Sequence, residues 1–66
     1  MKKVKINRSV YSDGAIEKTR MVYKKYAMTT VRYKHNYAII TFWKCKYDVE
    51  QTIKEFENYM IGVENS

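Results

Sequence analysis

Val4 and Ile6 alternate with Lys3, Lys5 and Asn7 at the start of the chain. This period of two predicts a strand over roughly Lys2–Arg8. The period then lengthens. Ala15, Ile16, Thr19, Val22, Tyr23 and Tyr26 share one face at helical spacing, with Lys18, Arg20, Met21, Lys24 and Lys25 on the others. An amphipathic helix is expected to about Ala27. Ser12 is placed as its N-cap, because a hydroxyl accepts from the free N–H groups of the first turn. Asp13 and Glu17 stand where the helix dipole favours negative charge. Tyr11 and Ile16 take the two positions of a hydrophobic staple. Gly14 is a weak point in the first turn.

From Thr29 to Tyr47 the chain is rich in β-branched and aromatic residues, without Gly or Pro. Two strands are expected there, joined at the polar pair His35-Asn36. Both residue types tolerate positive φ, which suits a tight hairpin turn. A two-residue loop pairs Tyr33 with Ala38, Arg32 with Ile39 and Val31 with Ile40. A four-residue loop keeps this parity, and a three-residue loop turns one strand over. Asp48 opens a second helix, with Gln51 three residues on as a capping-box partner. Val49, Ile53, Phe56 and Met60 repeat at helical spacing, flanked by Thr52, Tyr59 and Val63. Gly62 is the expected stop, and Glu64, Asn65 and Ser66 are expected to fray.

The element order β-α-β-β-α predicts one small α+β domain over residues 1–66. Its simplest form is a two-layer structure: a three-stranded sheet with both helices on one face. This is a ferredoxin-like unit lacking its last strand, with the first strand beside the third. At 66 residues the core is marginal, since such a chain buries only about 60% of its unfolded surface. There is no Leu, and seven of the ten aromatic residues are Tyr. Homodimer formation is therefore a reasonable expectation as a source of further buried area.

Cys45 is the only cysteine, and no Cys, His and carboxylate residues have metal-ligand spacing. No metal site and no cofactor are expected. A lone thiol and the lack of a signal-like apolar run point to a reducing, cytoplasmic setting. No stretch has the ~20 apolar residues of a membrane span.

Charge changes the picture most. Met1–Lys46 holds 12 Lys/Arg against Asp13 and Glu17, a net of +10; Tyr47–Ser66 has a net of −4, giving +6 in all. Sorted by hairpin register, one sheet face carries Val4, Ile6, Val31, Tyr33, Ala38, Ile40 and Phe42 and belongs under the helices. The other carries Lys3, Lys5, Arg32, Lys34, Tyr37, Ile39, Thr41 and Trp43, and no segment remains to cover it. Lys3, Lys5, Arg32, Lys34, Tyr37, Ile39 and Trp43 are the expected binding residues. Three readings compete. The face meets an anion while its rings stack, as on single-strand nucleic-acid platforms. Its cations merely decorate and protect a sheet. Or its apolar strip is a protein contact. No aromatic doublet matches an RNA-recognition motif.

Catalytic residues are not expected. His35 has no sequence neighbour to activate it and reads as a turn residue. Cys45 reads as a small half-buried hydrophobe; were it exposed, Lys44 and Lys46 would activate its thiol. Asp48, Glu50, Glu55 and Glu57 read as the cap and solvated face of a helix. No glycine-rich phosphate loop or triad is present.

The segments VKINRSVYS, GAIEKTRMVYKKYA and EFENYMIGVEN resemble those of the HxsD-like small proteins of His-Xaa-Ser peptide-maturation systems. There a strand ends in an Ile/Val-Tyr-Ser turn, a helix begins Ala-Ile, and the last helix carries a Glu-Phe-x-Asn run. Val10, Tyr11, Ser12, Ala15, Ile16, Glu55, Phe56 and Asn58 hold these positions here. The resemblance implies a non-enzymatic accessory protein working beside a radical SAM enzyme on a ribosomally made peptide. The expected function is thus to hold an acidic peptide or protein partner. The alternative is a single-stranded nucleic-acid binder using the same face.

Overall fold

A computed structural model describes residues Met1–Ser66. Its elements are β1 (Lys2–Asn7), α1 (Asp13–Val22), a 3₁₀ turn (Tyr23–Lys25), β2 (Ala27–Tyr33), β3 (Tyr37–Cys45) and α2 (Val49–Glu64). The order in the sheet is β1-β3-β2, and both pairings are antiparallel. The α+β class and the central place of β3 are those expected. Tyr33, Arg32 and Val31 lie opposite Ala38, Ile39 and Ile40, as a two-residue loop requires. No residue has positive φ, however. The turn is held another way: Lys34 N–H donates to Tyr37 C=O at 2.8 Å, and Asn36 C=O accepts from Arg8 N–H at 3.0 Å.

Strand parity sets the core. Ile6, Ala38, Ile40 and Phe42 are buried against Ala15 and Ile16 of α1 and against Ile53, Phe56 and Met60 of α2. Phe42 meets Phe56 edge-on at 5.1 Å, and Tyr23 meets Phe56 at 5.5 Å. Such edge-to-face pairs add to the stabilisation that burial alone gives. Thr19 and Thr52 are buried too, and each hydroxyl donates to a backbone carbonyl four residues back. Neither leaves an unpaired polar atom in the core.

Both N-caps form. Ser12 Oγ accepts from Ala15 N–H at 3.1 Å and Asp48 Oδ2 from Gln51 N–H at 2.9 Å. The capping box at α2 is only half made, because the Gln51 amide turns forward to Glu55.

Two helix-end expectations need correction. The first helix stops at Val22, where a 3₁₀ turn takes over and frees Ala27 to pair with Cys45. Gly62 does not end α2, which runs on to Glu64 and is capped at Asn65. Glu64 forms the last residue of α2, and its carboxylate accepts from Ser12 N–H at 2.9 Å, tying the end of α2 to the start of α1.

The second hairpin strand also departs from simple alternation. Met28 lies opposite Lys44 and Thr29 opposite Phe42, so Trp43 has no partner. This is a β-bulge, in which two residues oppose one. It reverses the parity of β3 beyond Phe42. Cys45 accordingly packs against the core, and Lys44 turns to the open side with Met28.

The core placement gives a direct test. Phe56→Ala is expected to cost about 3–5 kcal/mol, a large share of the roughly 5–15 kcal/mol typical of a domain. Tyr59→Ala, at the rim, is expected to cost far less. Urea unfolding followed by circular dichroism measures both, and equal losses would contradict this packing.

Candidate functional site

The open sheet face is built by three strands and one parity rule. On β3, Tyr37, Ile39, Thr41 and Trp43 form its centre line. Lys3, Lys5 and Asn7 lie opposite Thr41, Ile39 and Tyr37 from β1; Thr30 and Arg32 lie opposite Thr41 and Ile39 from β2. Lys34 follows at the end of β2. All seven residues expected from sequence are therefore on one surface. Thr30, Met28 and Lys44 join them and were not foreseen. Thr30 follows from parity with Arg32. For Lys44 a signal was present: unbroken alternation past Phe42 would bury Lys44 and expose Cys45, an unfavourable exchange that a bulge avoids.

The centre line is less apolar at its surface than its sequence suggests. Thr41 is only 7% exposed, and Tyr37 and Ile39 are half-buried. Lys5 Nζ stands 4.3 Å over the Tyr37 ring, a cation–π contact that also covers the strip with the lysine stem. Trp43 is 51% exposed, and its indole N–H donates to Thr30 Oγ1 at 2.8 Å. Between Trp43, Arg32, Lys34 and Lys3 lies a depression of about 530 Å³.

The electrostatics of this face come from where the acids are. All seven acidic residues lie in α1 or α2 or cap α2, and none is on a strand. Three ion pairs form: Lys2 with Glu50 at 3.0 Å, Arg8 with Asp13 at 2.7 Å, and Arg20 with Glu17 at 2.8 Å. Lys3, Lys5, Arg32, Lys34 and Lys44 have no such partner. The open face is thus a set of cations without counter-charge in the protein.

Arg8 fixes the end of this face nearest the turn. Its guanidinium donates to both Asp13 oxygens, at 3.0 and 2.7 Å, and to the Lys34 carbonyl. It also lies 5.1 Å from the Tyr33 ring centroid. The hydrogen bond to Asp13 raises the Arg8 pKa further above its ordinary value. Tyr33 sits on the helix side and donates its hydroxyl to Glu17 at 2.6 Å. Burial, then that bond to a carboxylate, holds its pKa well above the usual phenol value. His35 is exposed at the turn, on a cavity of about 840 Å³ that Arg8 and Asp13 also line.

The two sheet edges differ. Arg20 reaches β2, donating to Thr29 Oγ1 at 3.1 Å and to the Thr29 carbonyl at 3.0 Å. No side chain hydrogen-bonds to the backbone of Lys2–Ile6, and β1 has a neighbour only on its β3 side.

No group of His, Cys, Asp and Glu is arranged to hold a metal ion, and no helix is long and apolar enough to cross a membrane. No protein-family model, curated protein or solved structure matches the chain. The residues of the family resemblance have local structural uses. Ser12 is a cap, Ala15, Ile16 and Phe56 are core, Tyr11 packs against that core, and Val10, Glu55 and Asn58 are exposed.

Alkaline unfolding tests the Tyr33 network. Its phenol, and that of Tyr23, raised mainly by burial, have folded pKa values above the unfolded value of 10.0. Both stay neutral in both states below that pH, so stability from them is full there. It falls as pH rises through and beyond 10, where only the unfolded chain ionises. Urea midpoints between pH 8 and 12 should decline above 10, less steeply for Tyr33→Phe. An equal slope in the variant would contradict the bond to Glu17.

Proposed function

We propose that this protein is a small non-enzymatic binding module that holds an acidic segment of a peptide or protein against the open sheet face. The unpaired cations Lys3, Lys5, Arg32, Lys34 and Lys44, with no acid on any strand, are the observation that carries this reading. Like-signed charge on a surface steers an oppositely charged partner to it and disfavours wrong ones. It also works against two copies meeting through this face.

The open edge of β1 supplies the second element. A peptide strand added there gains backbone hydrogen bonds, and alternate side chains then face the lysines. It would occupy the place of the fourth strand in a ferredoxin-like sheet. The same face could serve nucleic acid, but Tyr37 is already covered by Lys5. Trp43 is left as the one well-exposed ring, whereas single-strand platforms stack successive bases. The family resemblance gives this role a setting, the handling of a ribosomally made precursor peptide.

Trp43 fluorescence provides the assay. A Glu-rich decapeptide is expected to perturb it saturably at low salt, with affinity falling as salt rises. A Lys3→Glu, Arg32→Glu double variant should bind about tenfold more weakly. Unchanged affinity in that variant, or no binding at low salt, would overturn the proposal. Tighter, steeply salt-dependent binding of oligo-dT would favour the nucleic-acid reading instead.

A further inference from the structure

A second surface lies on the helix side of the sheet, at the end away from the hairpin turn. There β2 begins and β3 ends, joined by a bond from Lys46 N–H to Tyr26 C=O at 2.8 Å. The 3₁₀ turn repeats every three residues, so Tyr23 and Tyr26 share a side, with ring centroids 5.9 Å apart. The parity change at Trp43 sends Cys45 inward, and two residues on the Tyr47 ring reaches 6.3 Å from Tyr26. Gln51, Thr52 and Glu55 of α2 close the other wall. The cavity between them measures about 560 Å³, within the range of small-ligand sites.

Its chemistry is opposite to that of the open face. Three phenol rings line one space, Tyr23 meeting Tyr26 edge-on and Tyr26 tilted by 36° to Tyr47. Glu55 adds a carboxylate that forms no ion pair in a chain with 13 Lys and Arg. Its one hydrogen bond is from the Gln51 amide, at 3.2 Å. Tyr23 is held in place by edge contacts with Phe56 and with Tyr59 at 5.5 and 5.9 Å. Tyr26 and Tyr47 are open to solvent, Tyr47 at 63% exposure. Rings beside one carboxylate repel anions. They also suit hard metal ions poorly, since those require several oxygen ligands. Methylated ammonium groups are the cations that aromatic cages take, because their charge is spread over a bulky, weakly hydrated surface.

We infer that Tyr23, Tyr26, Tyr47 and Glu55 form a binding site for an alkylated ammonium group of the choline or trimethyllysine type. The site is independent of the anion-binding face, which is on the other side of the sheet. Lys46 Nζ lies 5.6 Å from the Tyr47 centroid but does not line the cavity.

Proton NMR titration with choline tests this. The ring protons of Tyr23, Tyr26 and Tyr47 should shift saturably. The neutral isostere 3,3-dimethylbutan-1-ol should bind at least about fivefold more weakly. Tyr47→Ala and Glu55→Gln should each lower choline affinity by about fivefold. Both positions are exposed, so the fold should survive, and an unchanged thermal midpoint verifies this. Trp43→Ala, on the opposite face, should leave the choline titration unchanged even if it abolishes peptide binding. Trimethyllysine as a second probe carries the same head group on a side chain, and tighter binding of either probe identifies the source. Linear shifts without saturation for both probes, or equal binding of the neutral isostere, would overturn the assignment.

Discussion

The strand β3 is paired on both sides, so its side chains have no freedom to choose a face. With Ile40 opposite both Val4 and Val31, Ala38, Ile40 and Phe42 must lie under the helices and Tyr37, Ile39 and Thr41 must lie on the open side. A slip of one residue would exchange the two sets and drive Tyr37 and Ile39 into the core in place of Ala38 and Ile40. The rest of the molecule depends on this constraint. It sets the wall against which Phe56 and Met60 pack, and through β1 and β2 it decides which cations are left facing outward.

Charge follows the same division. Acids sit on the helices, where they cap Gln51, receive Ser12 N–H, and pair with Lys2, Arg8 and Arg20. The strands carry only cations. The two layers therefore present different chemistries: an open sheet face with only cations and Trp43 on one side, and on the other a helix layer of mixed charge, where Lys18, Arg20 and Lys54 stand among the acids and tyrosines line a cavity. The bulge at Trp43 links them. It adds Lys44 to the basic face, and it turns Cys45 toward the core with Tyr47 beyond it.

Much of this was legible in the sequence, and the limits have physical causes. Alternation in β1 and the polar His35-Asn36 pair were enough for the register and hence for all seven open-face residues. Ser12 and Asp48 marked their caps because capping is local. The end of α1 was not legible, since the helical spacing of Tyr23 and Tyr26 continues past it. Pairing of Ala27 with Cys45 and the packing of Tyr23 against Phe56 and Tyr59 outweigh helix propensity there. Gly62 misled for a similar reason. Glycine is favoured as a stop only where φ turns positive, and here the helix continues with ordinary φ. The role of Glu64 depends on Ser12, 52 residues away in sequence, which no local pattern shows. The tyrosine cavity was likewise hidden, because its walls come from three segments: the 3₁₀ turn, the link after β3, and α2.

The most direct test of the segregated faces is paramagnetic relaxation from small charged probes in solution. Backbone amides of Lys3, Lys5, Arg32 and Lys44 should relax faster with an anionic nitroxide than with a cationic one at low salt, and those of Glu50, Glu55 and Glu57 the reverse. The difference should fade as salt screens the charges. Equal relaxation by both probes across the sheet would contradict an uncompensated basic face.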